Sequence, residues 1–116
     1  MLHAFKAFFY SMAGLKVLLG EKAARLEVVY FALACILLIG IGATLEQWLV
    51  TIILFLAIFG MEALNTAIEV LVDHLSPEKS DFARDAKDLG SAAVFCMLAA
   101  SALYLAYLVG RFAGLV

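Results

Sequence analysis

Glu62, Asn65, Glu69 and Asp73 recur at three- and four-residue spacing inside a run that is otherwise apolar. On a helix, at about 100° per residue, the four fall within roughly 80° of one another and form one polar stripe. The stripe rises about 16 Å from Glu62 to Asp73, at 1.5 Å per residue. It offers hard oxygen donors and lacks the Glu-x-x-His spacing of a di-iron bundle. Such donors suit Mg²⁺, which usually arrives with phosphates. A carboxylate at mid-membrane costs roughly 2.5–3.5 kcal/mol on insertion scales. Residues 48–72 contain no Lys or Arg to offset that cost. A use for the acids, or a partner elsewhere, is therefore expected. The plainer reading makes Glu69 and Asp73 merely the end of a membrane helix, and it fits Glu62, the deepest, least well.

Two further groups stand next to apolar runs. "GEKAARLE" supplies Glu21, Arg25 and Glu27, where a Glu21–Arg25 surface ion pair is the ordinary alternative. "AKDLGSAAV" supplies Lys87 and Asp88, where Lys87 serves either as a point charge for phosphate or as a marker of the cytoplasmic side. Carboxylates, a cation and a deep acid at one membrane face suit phosphoryl transfer to a lipid hydroxyl. The metal and the cation neutralise phosphate charge, and a base takes the hydroxyl proton.

The elements that must position these groups follow from hydropathy. Hydrophobic residues make up 66% of 116, and 16% are charged. Mean hydropathy is +1.07. A chain this short has too little interior to hide so many apolar side chains. Lipid must cover them, and lipid requires an internally bonded backbone. Residues 28–45, 48–72 and 89–110 are long enough to span as helices. Residues 1–20 carry Lys6, Lys16 and the aromatics Phe5, Phe8, Phe9 and Tyr10, which suits an amphipathic helix on the membrane surface. The expected fold is an all-α membrane protein of one domain, with a surface helix and three spans. Lys6, Lys16, Lys22 and Arg25 precede the first span, and Lys79, Arg84 and Lys87 follow the second. The short "EQ" turn near residues 46–47 holds no Lys or Arg, and the tail holds only Arg111. By the positive-inside rule the N-terminus and the second loop are cytoplasmic.

Cys35 and Cys96 lie inside expected spans without metal-ligand spacing. There is no G-x-x-x-x-G-K-[ST] and no G-x-G-x-x-G, so any nucleotide is held without a standard phosphate loop. No nucleic-acid partner is expected.

"EALNTAIEVLVDHLSPE" followed by "AKDLGSAAV" resembles the prokaryotic membrane diacylglycerol kinase family. The family pattern E-x-x-N-[ST]-A-I-E-x-x-V-D is complete from Glu62 to Asp73, and the resemblance runs from about Tyr10 to the end of the third span. It implies a small three-span lipid kinase of the bacterial inner membrane, working as a homotrimer with ATP and Mg²⁺. Residue by residue, it implies that Glu62 is the catalytic base and that Glu69 and Glu21 are metal ligands. Asn65 and Asp73 match supporting positions. Tyr10, Lys87 and Asp88 match nucleotide contacts, and Glu78 opens the segment Glu78–Lys79–Ser80 over the nucleotide. Arg25, Glu27, Trp48 and Ser91 match positions lining the lipid site, beside Glu62. The chain departs from the family where Lys79-Ser80 replaces a common Tyr-His pair after the Glu.

A second branch of the family phosphorylates undecaprenol. The Ser after Gly in "AKDLGSAAV" looks more like the diacylglycerol branch. Two readings come from other classes. An oligomeric cation or proton channel would ring its pore with Glu62. A structural subunit would pack through Ala102, Ala106 and Gly110 at small-xxx-small spacing. Neither needs the pairing of the stripe with Glu21 and with Lys87–Asp88.

Overall fold

A computed structural model describes residues 1–116. The chain is all helix: α1 (Leu2–Leu19), α2 (Lys22–Ile41), α3 (Leu45–Leu75) and α4 (Asp81–Phe112). All four are long and apolar enough to cross a membrane. Length and composition alone therefore do not set α1 apart from the other three. Its aromatics Phe5, Phe8, Phe9 and Tyr10 are all exposed, and Leu18 is its one buried residue.

The turn between α2 and α3 is fixed by local chemistry. Gly42 adopts a left-handed conformation (φ 67°, ψ 45°), which a glycine reaches without steric cost. Its N–H donates to the Ile39 carbonyl at 3.2 Å, and the Ala43 N–H donates to that of Leu38 at 2.9 Å. This Schellman arrangement satisfies carbonyls that would otherwise lack partners. Thr44 then opens α3 with a capping box: its hydroxyl accepts from the Gln47 N–H at 3.3 Å, and the Gln47 side chain accepts from the Thr44 N–H at 3.0 Å. The turn is thus residues 42–44. Glu46 and Gln47, expected to be the turn, are in the first turn of α3, and the first expected span stops at Ile41 rather than at residue 45.

The other expected boundaries move outward. α3 exceeds 48–72 at both ends, and α4 starts at Asp81, eight residues before the expected span. Ser80 caps α4 by accepting from the Ala83 N–H at 3.1 Å. Arg84, Lys87 and Asp88 therefore stand on the first turns of a helix, not in a loop. At 1.5 Å per residue α3 and α4 are about 46 and 48 Å long, well beyond a hydrocarbon layer of about 30 Å. Their polar ends extend past the apolar zone.

α3 is the central element, packed on α4 along much of its length and touching α1 and α2. The core joins Ala34 and Leu38 of α2, Phe55 and Ile58 of α3, and Leu105 and Leu108 of α4. The Tyr30 and Phe31 rings pack on Phe55, at centroid separations of 4.7 and 4.9 Å. The Tyr30 hydroxyl bonds Ser101 at 2.8 Å and Ser101 donates to the Leu98 carbonyl, so the polar atoms of this layer are satisfied. The bundle measures 52 × 41 × 20 Å, a thin slab. Only 18 of 116 residues are buried, and Leu33, Ile36, Ile53, Leu56, Phe95 and Leu103 face outward. A slab with so much apolar surface requires lipid or other subunits around it.

The capping box gives a direct test. Thr44→Ala should lower stability by about 1 kcal/mol, read from reversible SDS unfolding in mixed micelles, and an unchanged midpoint would show that the turn is held by other contacts.

Candidate active site at the polar end of the bundle

The helix stripe reaches its neighbours where α2 begins. Glu21 is the N-cap residue of α2, and its side chain makes no capping bond. It makes no ion pair with Arg25 either; the chain's three side-chain ion pairs are Arg84–Asp81, Arg84–Asp85 and Lys87–Asp73. The Glu21 carboxylate is thus available to a cavity of about 640 Å³ between α2, α3 and α4. The same cavity is lined by Glu27, Glu62, Asn65, Glu69 and Ser91, with Tyr30 and Phe95 among its apolar walls. Six of the residues singled out by sequence meet here. Lys22 also lines it, as its only cation.

Burial orders these acids. Glu62 is 5% exposed and Glu27 6%, whereas Glu69 is half-buried and Glu21 exposed. Glu27 of α2 and Glu62 of α3 are neighbours on the wall of this cavity. Glu27 Oε2 is buried with no partner. Two ionised carboxylates this close, away from water, repel strongly. One turn along α3, Asn65 Nδ2 donates to Glu69 Oε1 at 3.3 Å and fixes that carboxylate's orientation. Asn65 Oδ1 is buried without a donor. The carboxylates thus run along one cavity from buried Glu62 and Glu27 through half-buried Glu69 to exposed Glu21.

A second cavity, about 460 Å³, lies beside the α3–α4 loop. Asp73, Glu78, Lys79, Ser80, Arg84 and Lys87 line it. Lys87 Nζ is 2.5 Å from Asp73 Oδ1 and ties α4 to the end of α3. Asp73 shares the helix face of Glu62 but stands about 16 Å higher along the axis, so it belongs to this cavity and not to the first. Ser76 orders the loop by donating to the Glu78 carbonyl at 3.0 Å and bonding the Ser80 hydroxyl at 3.0 Å.

Four residues singled out by sequence line neither cavity. Tyr10 and Arg25 are exposed on α1 and α2. Asp88 is exposed one position past Lys87, about 100° around α4. Trp48 packs against the apolar core, about 21 Å along α3 from Glu62. In the sequence, Lys22 and Arg84 read only as markers of membrane side. Their places at the first turns of α2 and α4 were hidden until the caps were known.

Fold and site together define an integral membrane protein with a carboxylate-lined pocket at one end of its helices. The sequence matches the family "Prokaryotic diacylglycerol kinase" over residues 9–109. It is 49% identical over 107 residues to a diacylglycerol kinase from Sinorhizobium sp, covering 92% of this chain and 78% of that protein. It is 36% identical over 110 residues to one from Helicobacter pylori J99, covering 93% and 82%. Identity to the Escherichia coli K12 diacylglycerol kinase is 36% over 92 residues, covering 77% and 74%. The chain belongs to the prokaryotic diacylglycerol kinase family and is a lipid kinase.

Proposed function

We propose that this kinase transfers the γ-phosphoryl group of ATP to the hydroxyl of diacylglycerol, giving phosphatidic acid, with Glu62 as the general base. The observation that carries this is the position of Glu62: almost fully buried, against Glu27, at the floor of the one cavity that also gathers Glu21 and Glu69. Glu62 accepts the hydroxyl proton. The freed oxygen attacks the γ-phosphorus, a new P–O bond forms, and the bond to the β–γ bridging oxygen breaks to release ADP. Glu27 and Ser91 flank Glu62 on the lipid side, where Arg25 meets the head region and Trp48 meets acyl chain deeper in the bilayer.

Glu21 and Glu69 would hold Mg²⁺. Their chemistry fits: both are oxygen donors on one cavity, and the Asn65 bond orients Glu69. Mg²⁺ usually keeps several waters and needs only one or two protein carboxylates beside the substrate phosphates. When bound, the ion supplies neutralisation of phosphate charge. Lys87, Asp88, Tyr10 and the segment Glu78–Ser80 contact the nucleotide. The basic residues Lys79, Arg84 and Lys87 at the loop cavity support that side of the reading.

Both cavities open at the bundle end that holds most of the Lys and Arg, which supports a cytoplasmic site in the bacterial inner membrane. α1 lies on that surface rather than crossing. The protein works as a homotrimer in which neighbouring subunits close each site, a reading that rests on the family resemblance; the outward apolar surface is compatible with such neighbours.

Glu62→Gln should keep the fold and nucleotide affinity while lowering turnover by about 10²–10⁴-fold; near-normal lipid phosphorylation would remove it as the base. Glu69→Gln and Glu21→Gln should shift the magnesium titration to higher concentration, and an unshifted curve would count against ligation. Purified protein in detergent, given radiolabelled ATP with diacylglycerol and with undecaprenol separately, should label the diacylglycerol. Label in undecaprenol alone would move the chain to the other branch, and label in neither lipid would overturn both.

A further inference from the structure

Gly90 sits in the interior of α4, where glycine is less favourable than alanine for a helix. Its surroundings explain its presence. It is buried, and a Cβ built on it would overlap Asn65 Oδ1, with Asn65 Cγ at 3.3 Å and Ile68 Cδ1 at 3.5 Å. We propose that Gly90 is a positioning residue of the site: its missing side chain is the space in which Asn65 lies while it holds Glu69 to the cavity.

Asn65 is 8% exposed, so its amide has little room to choose another orientation. One end of that amide is engaged, since Nδ2 donates to Glu69 Oε1. The other end, Oδ1, has no conventional donor and faces the hydrogen that Gly90 carries in place of a Cβ. A Cα–H···O contact of this kind is weak but favourable to a buried acceptor. Gly90 thus permits the pose from α4, Asn65 transmits it along α3, and the Glu69 carboxylate receives it. A methyl group at position 90 would displace the far end of a side chain, not backbone. Its effect falls on the carboxylate's orientation and leaves helix packing intact.

The inference rests on the phosphoryl-transfer reading only for its kinetic consequence, and the chain offers a readout that does not. Asn65 is the only asparagine in the sequence. Asparagine-selective ¹⁵N labelling in detergent micelles therefore gives a single side-chain amide pair. Gly90→Ala should move that pair with helical content retained, and Glu69→Gln should move it as well. In the lipid kinase assay, Gly90→Ala should lower kcat/KM for the magnesium nucleotide about tenfold or more, as loss of a carboxylate's supporting contact does. The same substitution in an Asn65→Ala background should add no further loss. An unmoved amide pair would overturn the proposal, as would equal kinetic losses in both backgrounds or a Gly90→Ala chain without its helices. Absence of turnover in the parent protein would instead overturn the phosphoryl-transfer reading, and the amide pair would still decide this one.

Discussion

Burial of Glu62 against Glu27 is the constraint around which the polar end of this bundle is arranged. Each acid alone is expensive in an apolar bundle, and their proximity adds repulsion. Such a pair persists only when the surrounding packing imposes it. That packing is the layer below, where Phe55 receives Tyr30 and Phe31 and where Tyr30 is fixed to Ser101. Tyr30 lies about one helical turn after Glu27, so the ring that sets the rotation of α2 also sets where Glu27 points. The apolar core and the acid pair are thus consecutive layers of one object.

Above the pair the character of the bundle changes by degrees. Glu69 is half-buried and held by a neutral amide, Glu21 is exposed at a helix start, and Asp73 has left the cavity for an exposed ion pair with Lys87. That last contact contributes little to stability in water-like surroundings, but it fixes where α4 begins relative to the end of α3. On the proposed reading, this gradient lets an unstable group sit at the floor while charged phosphate remains near the rim.

Much of this was readable in advance. The three-four spacing of Glu62, Asn65 and Glu69 put them on one face, and that face does line a cavity with Glu21 and Glu27. Asp73 obeyed the same angular rule and still parted from the group, because helical angle says nothing about height. Helix ends were less legible for a specific reason: counting uncharged residues finds where lipid contact stops, not where hydrogen bonding stops. Gly42, Thr44 and Gln47 carried the true boundary in their capping chemistry, and Ser80 did the same for α4. Gly90 could not be recognised from sequence, since its meaning depends on which side chain faces it across two helices. The same holds for Lys22, which sequence offered only as a charge.

The excess length of α3 and α4 over the lipid core bears on how such a catalyst is supplied. On the proposed reading, the last turns of α3 and the first turns of α4 stand in the interfacial region, so a water-borne donor and a bilayer-dissolved acceptor meet at that end without either crossing into the other's medium. Encounter with the acceptor is then a search in two dimensions. Its frequency follows the mole fraction of acceptor within the leaflet, and diluting the suspension leaves it unchanged while adding inert lipid slows it.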